Sequence, residues 1–191
     1  YMGAVLVAKG DTILLDKGYG SANLEWDIAN TPAAKFRIGS VTKQFTAATI
    51  LLLQEQGRLT LDAPVKTYWP DAPATWDAIT VRQLLQHTSG IPNFTSADDF
   101  ATIKFLPTTR DELIAGFADD PLDFTPGEEF SYSNSGYLLL TAIVEEVSGM
   151  DYAAFVKANI FDPLGMADTA IDVSARAIRI EVRAMEVPAG R

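Results

Sequence analysis

FRIGSVTKQFTAATILLLQEQG, residues Phe36 to Gly57, sets a serine and a lysine at the head of an apolar run. From Val41 to Gln56 the pattern predicts a helix that is apolar on most sides, with Gly57 as its C-cap. A helix apolar nearly all round is expected to be central and buried. Ser40 and Lys43 are costly guests there, since serine favours caps and a buried ammonium must be desolvated. Residues three apart share a helix face with Cβ atoms about 5–6 Å apart, so Lys43 can reach the Ser40 hydroxyl. A helix start adds free N–H groups and the positive end of the macrodipole beside such a hydroxyl. An amine in a dry site releases its proton more readily and can accept that of a serine. The plain alternative is an N-cap serine followed by a solvent-facing lysine.

Around this stretch the 191 residues suffice for one sizeable domain or two small lobes. With 48% hydrophobic and 21% charged residues the composition is that of an ordinary globular protein. A net charge of −10 argues against nucleic acid and anionic lipid as partners. The absence of cysteine removes both a disulfide framework and a thiolate nucleophile. A single histidine, His87, makes a zinc site of the usual His/Cys type unexpected. No apolar run reaches the length of a membrane span, and no signal-peptide pattern opens the chain at Tyr1.

Ala4 to Ala8 and Thr12 to Leu15, joined by Lys9-Gly10-Asp11, read as a β-hairpin. Gly18-Tyr19-Gly20 ends its second strand, but Asn23 stands where a dinucleotide fingerprint needs its third glycine. Leu61 to Ile79 is loop-like. Thr80 with Gln83 and Thr109 with Glu112 form capping boxes, each opening a helix, and the first of these helices stops at His87-Thr88-Ser89-Gly90. Ser135 to Val147 predicts a helix closed by Gly149, and Asp151 caps another to about Ile160. A further strand is expected from Ala177 to Val182.

A second constellation sits at Phe130-Ser131-Tyr132-Ser133-Asn134-Ser135-Gly136. Alternate residues of an extended segment point the same way, so Tyr132 and Asn134 can line one cleft. Their plain readings are a buried ring with a satisfied hydroxyl and a helix N-cap.

Together the Ser40-x-x-Lys43 and Tyr132-x-Asn134 motifs resemble those of the serine penicillin-recognising hydrolases, in the branch of class C β-lactamases, D-alanyl-D-alanine carboxypeptidases and family VIII esterases. Flanking phrases are similar too, among them Gly57-Arg58-Leu59-Thr60-Leu61-Asp62, Leu84 to Ile91, and Pro163-Leu164-Gly165-Met166. The resemblance runs from about Ala4 to Thr169. It implies an α+β fold, an antiparallel sheet flanked by helices with an all-helical lobe. In that fold Ser40 is the nucleophile, Lys43 its activating amine, Tyr132 the proton shuttle and Asn134 a holder of the substrate carbonyl. It implies no cofactor and no metal, a small-molecule or peptide substrate, and a periplasmic or secreted location over a cytoplasmic one.

The substrate is left open between a β-lactam, a D-amino-acid peptide and a small ester, and the oligomeric state is not legible. The family's third motif, H-x-G or K-T-G, is absent, because His87 is followed by Thr88 and Ser89. Met185 to Gly190 resembles the approach to a later glycine-rich segment, and Ile171 to Arg183 is short for what usually intervenes. We therefore expect one incomplete catalytic domain with an incomplete sheet. Residues 1–60 would form an α/β lobe carrying the nucleophile helix, 61–170 a mainly helical lobe, and 171–191 the start of the remainder.

Two other readings stay open. A Ser-His-Asp triad would need His87, and the chain has no G-x-S-x-G elbow. A non-catalytic sensor or binding module could keep the acyl-binding cleft without turnover.

Overall fold

A computed structural model describes residues 1–174 and 177–184, with side chains to residue 172; Met185 to Gly190 lies outside the described residues. Two compact units form, one built on Tyr1–Arg37 and the other on Ile38–Val182.

In the first unit, β1 (Gly3–Lys9) pairs antiparallel with β2 (Thr12–Tyr19) around the expected turn. The register shifts after Val7, which pairs with Leu15, while Ala8 pairs with Ile13 and leaves Leu14 as a bulge. A second, short pair follows, β3 (Ser21–Asn23) with β4 (Ile28–Ala29). Asn30 ties the two together by donating from Nδ2 to the carbonyls of Tyr19 and Ser21, both at 2.9 Å. Glycine is required at 18 because a Cβ there would lie 2.2 Å from the Asn30 carbonyl oxygen. The Gly-x-Gly stretch thus serves a close strand crossing and leads into a strand instead of a helix.

The second unit opens with a 3₁₀ turn at Gly39–Val41 that runs into α1 (Thr42–Glu55). Then come α2 (Val81–Leu85), α3 (Phe100–Ile103), α4 (Arg110–Ala118), α5 (Asn134–Ser148) and α6 (Tyr152–Val156). A π-helical turn, Lys157–Phe161, continues α6, and β5 (Thr169–Ser174) pairs with β6 (Ala177–Ala184).

Both capping boxes form. The Gln83 side chain accepts from the Thr80 N–H at 2.9 Å, and that of Glu112 accepts from the Thr109 N–H at 2.7 Å. Each satisfies an N–H that the first helical turn would leave unpaired. Asp151 caps α6 by accepting from the Ala154 N–H at 3.0 Å.

The helix at the centre is α5, not α1. Every residue from Ser135 to Val144 is buried, with α1, α2, α4 and α6 packed around it. By contrast α1 buries one face, through Thr46, Thr49, Ile50 and Leu53, and leaves Leu51 52% exposed. An apolar composition on all sides therefore did not decide which helix is enclosed. Within the core Trp76 stacks on Phe117 at 6.1 Å. Each fully buried Leu, Ile or Val in this cluster contributes roughly 1.5–3 kcal/mol by leaving water. Arg110 of α4 pairs with Glu145 of α5, whose other oxygen accepts from the Tyr152 N–H at 2.8 Å, so one carboxylate joins three helices.

No helix among the described residues is long and apolar enough to cross a membrane.

Candidate active site

Gly39 takes a positive φ of 51° and turns the chain so that Ser40 sits in the 3₁₀ turn ahead of α1. The N-cap position of α1 falls to Val41, with no side-chain cap bond, and Ser40 is not spent on the backbone. Instead its Oγ accepts from the Tyr132 hydroxyl at 2.6 Å and from Lys43 Nζ at 3.4 Å. The solvent-facing alternative for Lys43 fails as well, because Nζ donates to Asn134 Oδ1 at 2.7 Å.

Tyr132 and Asn134 reach these positions through Ser133. Its extended backbone puts neighbours on alternate sides, and its hydroxyl caps α5 by accepting from the Gly136 N–H at 3.3 Å. Ser133, not Asn134, is the N-cap, which leaves the Asn134 side chain available. All four residues singled out from the sequence, Ser40, Lys43, Tyr132 and Asn134, meet in one cluster within the second unit.

Three further residues complete it, of which the sequence had brought only His87 into view, as a triad candidate and as part of a framework phrase. Thr95 Oγ1 accepts from Asn134 Nδ2 at 2.9 Å and donates to Asn93 Oδ1 at 3.0 Å. Asn93 Oδ1 also accepts from the Asn134 N–H at 3.0 Å. Since the Thr95 proton goes to Asn93, Thr95 can only accept from Asn134, and the Asn134 carbonyl oxygen must turn to the ammonium of Lys43. His87 is the third. Its Nδ1 accepts from the Ser133 N–H at 3.1 Å, and its ring lies between Tyr132 (centroids 4.6 Å) and Tyr137 (5.0 Å). It is a neighbour of Tyr132 and makes no hydrogen bond that would build a triad with Ser40. No local pattern marks Asn93 or Thr95, whereas the His87-Thr88-Ser89-Gly90 phrase was visible and read as framework.

The electrostatics follow from this packing. Burial pushes the Tyr132 hydroxyl up, but hydrogen bonding with Lys43 and Ser40 and the Lys43 charge outweigh it and hold the group below its ordinary value. Burial, and then the charge of Lys43, lower the pKa of His87. Lys43 Nζ stands 4.7 Å from the Tyr132 ring centroid and 5.4 Å from that of Tyr137, so aromatic faces surround the cation on two sides.

The cluster opens on a cavity of about 460 Å³. Its polar lining includes Ser40, Lys43, Thr95, Lys104 and Asn134, and its apolar lining includes Phe94, Phe100, Ile103, Leu106, Leu113 and Leu138. Among the described residues no group of three or more Asp, Glu and His is arranged to hold a metal ion.

The family profile described as Beta-lactamase matches residues 2–189. Penicillin-binding protein 4* of Bacillus subtilis is 35% identical over 179 residues, which cover 90% of this chain and 38% of that protein. The octameric penicillin-binding protein homologue from Pyrococcus abyssi superposes with a TM-score of 0.79 at 34% identity, over 92% of this chain and 42% of that one. The D-amino acid amidase from Ochrobactrum anthropi superposes at 0.76 with 29% identity, over 92% and 49%. The chain thus spans between about a third and a half of the length of these relatives.

Proposed function

Because the chain belongs to the Beta-lactamase family, whose members are serine hydrolases, we propose that Ser40 attacks an acyl carbonyl and carries the acyl group as an ester. The observation that supports this most is the Ser40 Oγ, 2.6 Å from Tyr132 and 3.4 Å from Lys43 at a mixed, largely apolar cavity. Tyr132 is the nearer group. As a phenolate held by the Lys43 ammonium, it takes the Ser40 proton while the Oγ–C bond forms. When the bond to the leaving nitrogen or oxygen breaks, Tyr132 passes that proton to it. Water then repeats the sequence in reverse and releases the acid. The Ser40 N–H at the helix start is one donor for the developing oxyanion. Asn134 holds Lys43 in place, and the N–H of Nδ2 that Thr95 does not take is offered to the substrate carbonyl.

A second reading gives the serine proton directly to the Lys43 amine, which its 3.4 Å approach to Ser40 Oγ allows. The substrate is a β-lactam, a D-amino-acid peptide or amide, or a small ester, and the apolar lining favours an apolar acyl group. The test is turnover of nitrocefin, p-nitrophenyl acetate and a D-aminoacyl p-nitroanilide by the intact protein and its Ser40→Ala variant. Loss of at least ~10³-fold in the variant supports the reading. Turnover that survives in Ser40→Ala overturns it. Rapid covalent labelling without product release identifies a binding or sensor module instead.

A further inference from the structure

We propose that His87 is a positioning residue of the acyl-transfer site, whose ring and carbonyl clamp the Ser131–Ser133 backbone and set the Tyr132 phenol against Ser40. This rests on the reading of Ser40 and Tyr132 as the reacting pair.

His87 follows the C-cap of α2, Gln86, and has a positive φ of 59°. Helices often end in this left-handed conformation, but usually on glycine. A side chain with a Cβ is strained there, and such strain concentrates at functional positions. What the histidine gains is a double grip. Its carbonyl accepts from the Ser131 N–H at 2.9 Å and its Nδ1 from the Ser133 N–H at 3.1 Å. Two alternate N–H groups of one extended segment are thus held by a single residue, and Tyr132 lies between them. The imidazole plane meets the Tyr132 ring at 32° and the Tyr137 ring at 29°, while Phe130 closes its edge at 5.9 Å. Glycine could make the first contact but neither the second nor the stack.

An N–H aimed at Nδ1 leaves no place for a proton on that nitrogen, so the ring is neutral with its hydrogen on Nε2. The titratable groups that face it are Lys43 from α1, Tyr132 from the segment before α5, and Tyr137 from α5. Protonation would expel the Ser133 N–H and place a second cation beside Lys43. Burial and the Lys43 charge hold that event below the ordinary histidine value of 6.5. Acylation therefore falls as the pH drops through the lowered value.

Two variants of the intact protein separate this role from plain packing. His87→Gly relaxes the backbone and removes the ring. Its Tm is expected to change little, because relief of the backbone strain offsets the lost ring contacts and the Ser133 acceptor. Meanwhile kcat falls roughly tenfold or more with KM within about twofold, since misplacing a reacting group costs rate before binding. His87→Asn tolerates the left-handed backbone and puts Oδ1 where Nδ1 stands. It should recover part of kcat and lose the acid limb of the pH profile. NMR of the sole histidine supplies a readout that needs no turnover, namely an Nε2–H tautomer titrating below 6.5. The clamp is refuted by an Nδ1–H tautomer, by titration at or above that value, or by a His87→Gly protein with wild-type kcat and pH profile. Unfolding of His87→Gly overturns the strain argument, and His87→Asn then carries the kinetic comparison. If Ser40 is never acylated, the functional reading fails, whereas the tautomer still decides the clamp.

Discussion

Replacing Thr95 by valine keeps the shape of the side chain and removes its hydroxyl. Two hydrogen bonds disappear, from Asn134 Nδ2 at 2.9 Å and to Asn93 Oδ1 at 3.0 Å. Asn93 retains the Asn134 N–H, so the unsatisfied group is Asn134 Nδ2, and stability should fall by roughly 1–3 kcal/mol. The larger effect is on orientation. Without Thr95 as an acceptor, only the Lys43 donor still favours the carbonyl orientation of the Asn134 amide, which is then held at one end instead of two. The Lys43–Asn134 contact at 2.7 Å is charge-assisted, worth about 1.5–3 kcal/mol. Loosening it slows acylation, up to the roughly ten- to hundredfold that its complete loss would cost. Stopped-flow acylation with nitrocefin or a fluorophosphonate measures this, with Thr95→Ser as the control that restores the hydroxyl. Since Thr95 also lines the cavity, a direct substrate contact would show in KM, whereas the orienting role shows in kcat. A Thr95→Val protein acylated within twofold of wild type refutes the argument.

Tyr132→Phe should slow acylation by ~10²–10⁴-fold, and the wild-type rate should rise with pH through a Tyr132 value below 10.0, a limb that the variant lacks. Lys43→Arg keeps the charge but gives a guanidinium that neither yields its proton nor fits between Asn134 and Ser40; acylation at least ~100-fold slower is expected, and a rate within threefold would remove Lys43 from the mechanism. Buried Tyr152, bonded to Thr46 at 2.7 Å, has its hydroxyl pushed up to about 12. Because the folded value lies above the unfolded one, this stabilisation is complete below about pH 10 and is lost as the pH rises toward 12, by up to roughly 3 kcal/mol. Denaturant melts of wild type and Tyr152→Phe between pH 9 and 12 should therefore converge. Leu140→Ala, at the enclosed centre of α5, should cost about 2–5 kcal/mol without changing the substrate preference.

What the sequence disclosed was local in its physics. The capping boxes at Thr80 and Thr109, the Lys9-Gly10-Asp11 turn and the Gly149 C-cap each depend on contacts a few residues apart, and each formed. Ser40 with Lys43 was readable because one helical turn dictates their proximity. Tyr132 with Asn134 was readable because an extended segment alternates. What joins the two pairs is tertiary. The Tyr132–Ser40 and Lys43–Asn134 bonds bridge about ninety residues of chain, which no local pattern encodes. The same holds for His87, whose grip on Ser133 spans 46 residues, and for Thr95 on Asn134 across 39. The short strands β3, β4 and β5 escaped because runs of two to six residues carry too little alternation to be read. The exposed side of α1 escaped because composition alone does not say which apolar helix its neighbours enclose.

The central claim is that Ser40, activated from one turn away and from Tyr132, is the residue that becomes acylated. Peptide mapping by mass spectrometry after brief exposure of the intact protein to a fluorophosphonate or a penicillin tests it directly. A single adduct on the peptide that holds Ser40, absent from Ser40→Ala and formed far more slowly in Tyr132→Phe, is the predicted result. An adduct on another serine, or one that persists in Ser40→Ala, would contradict it.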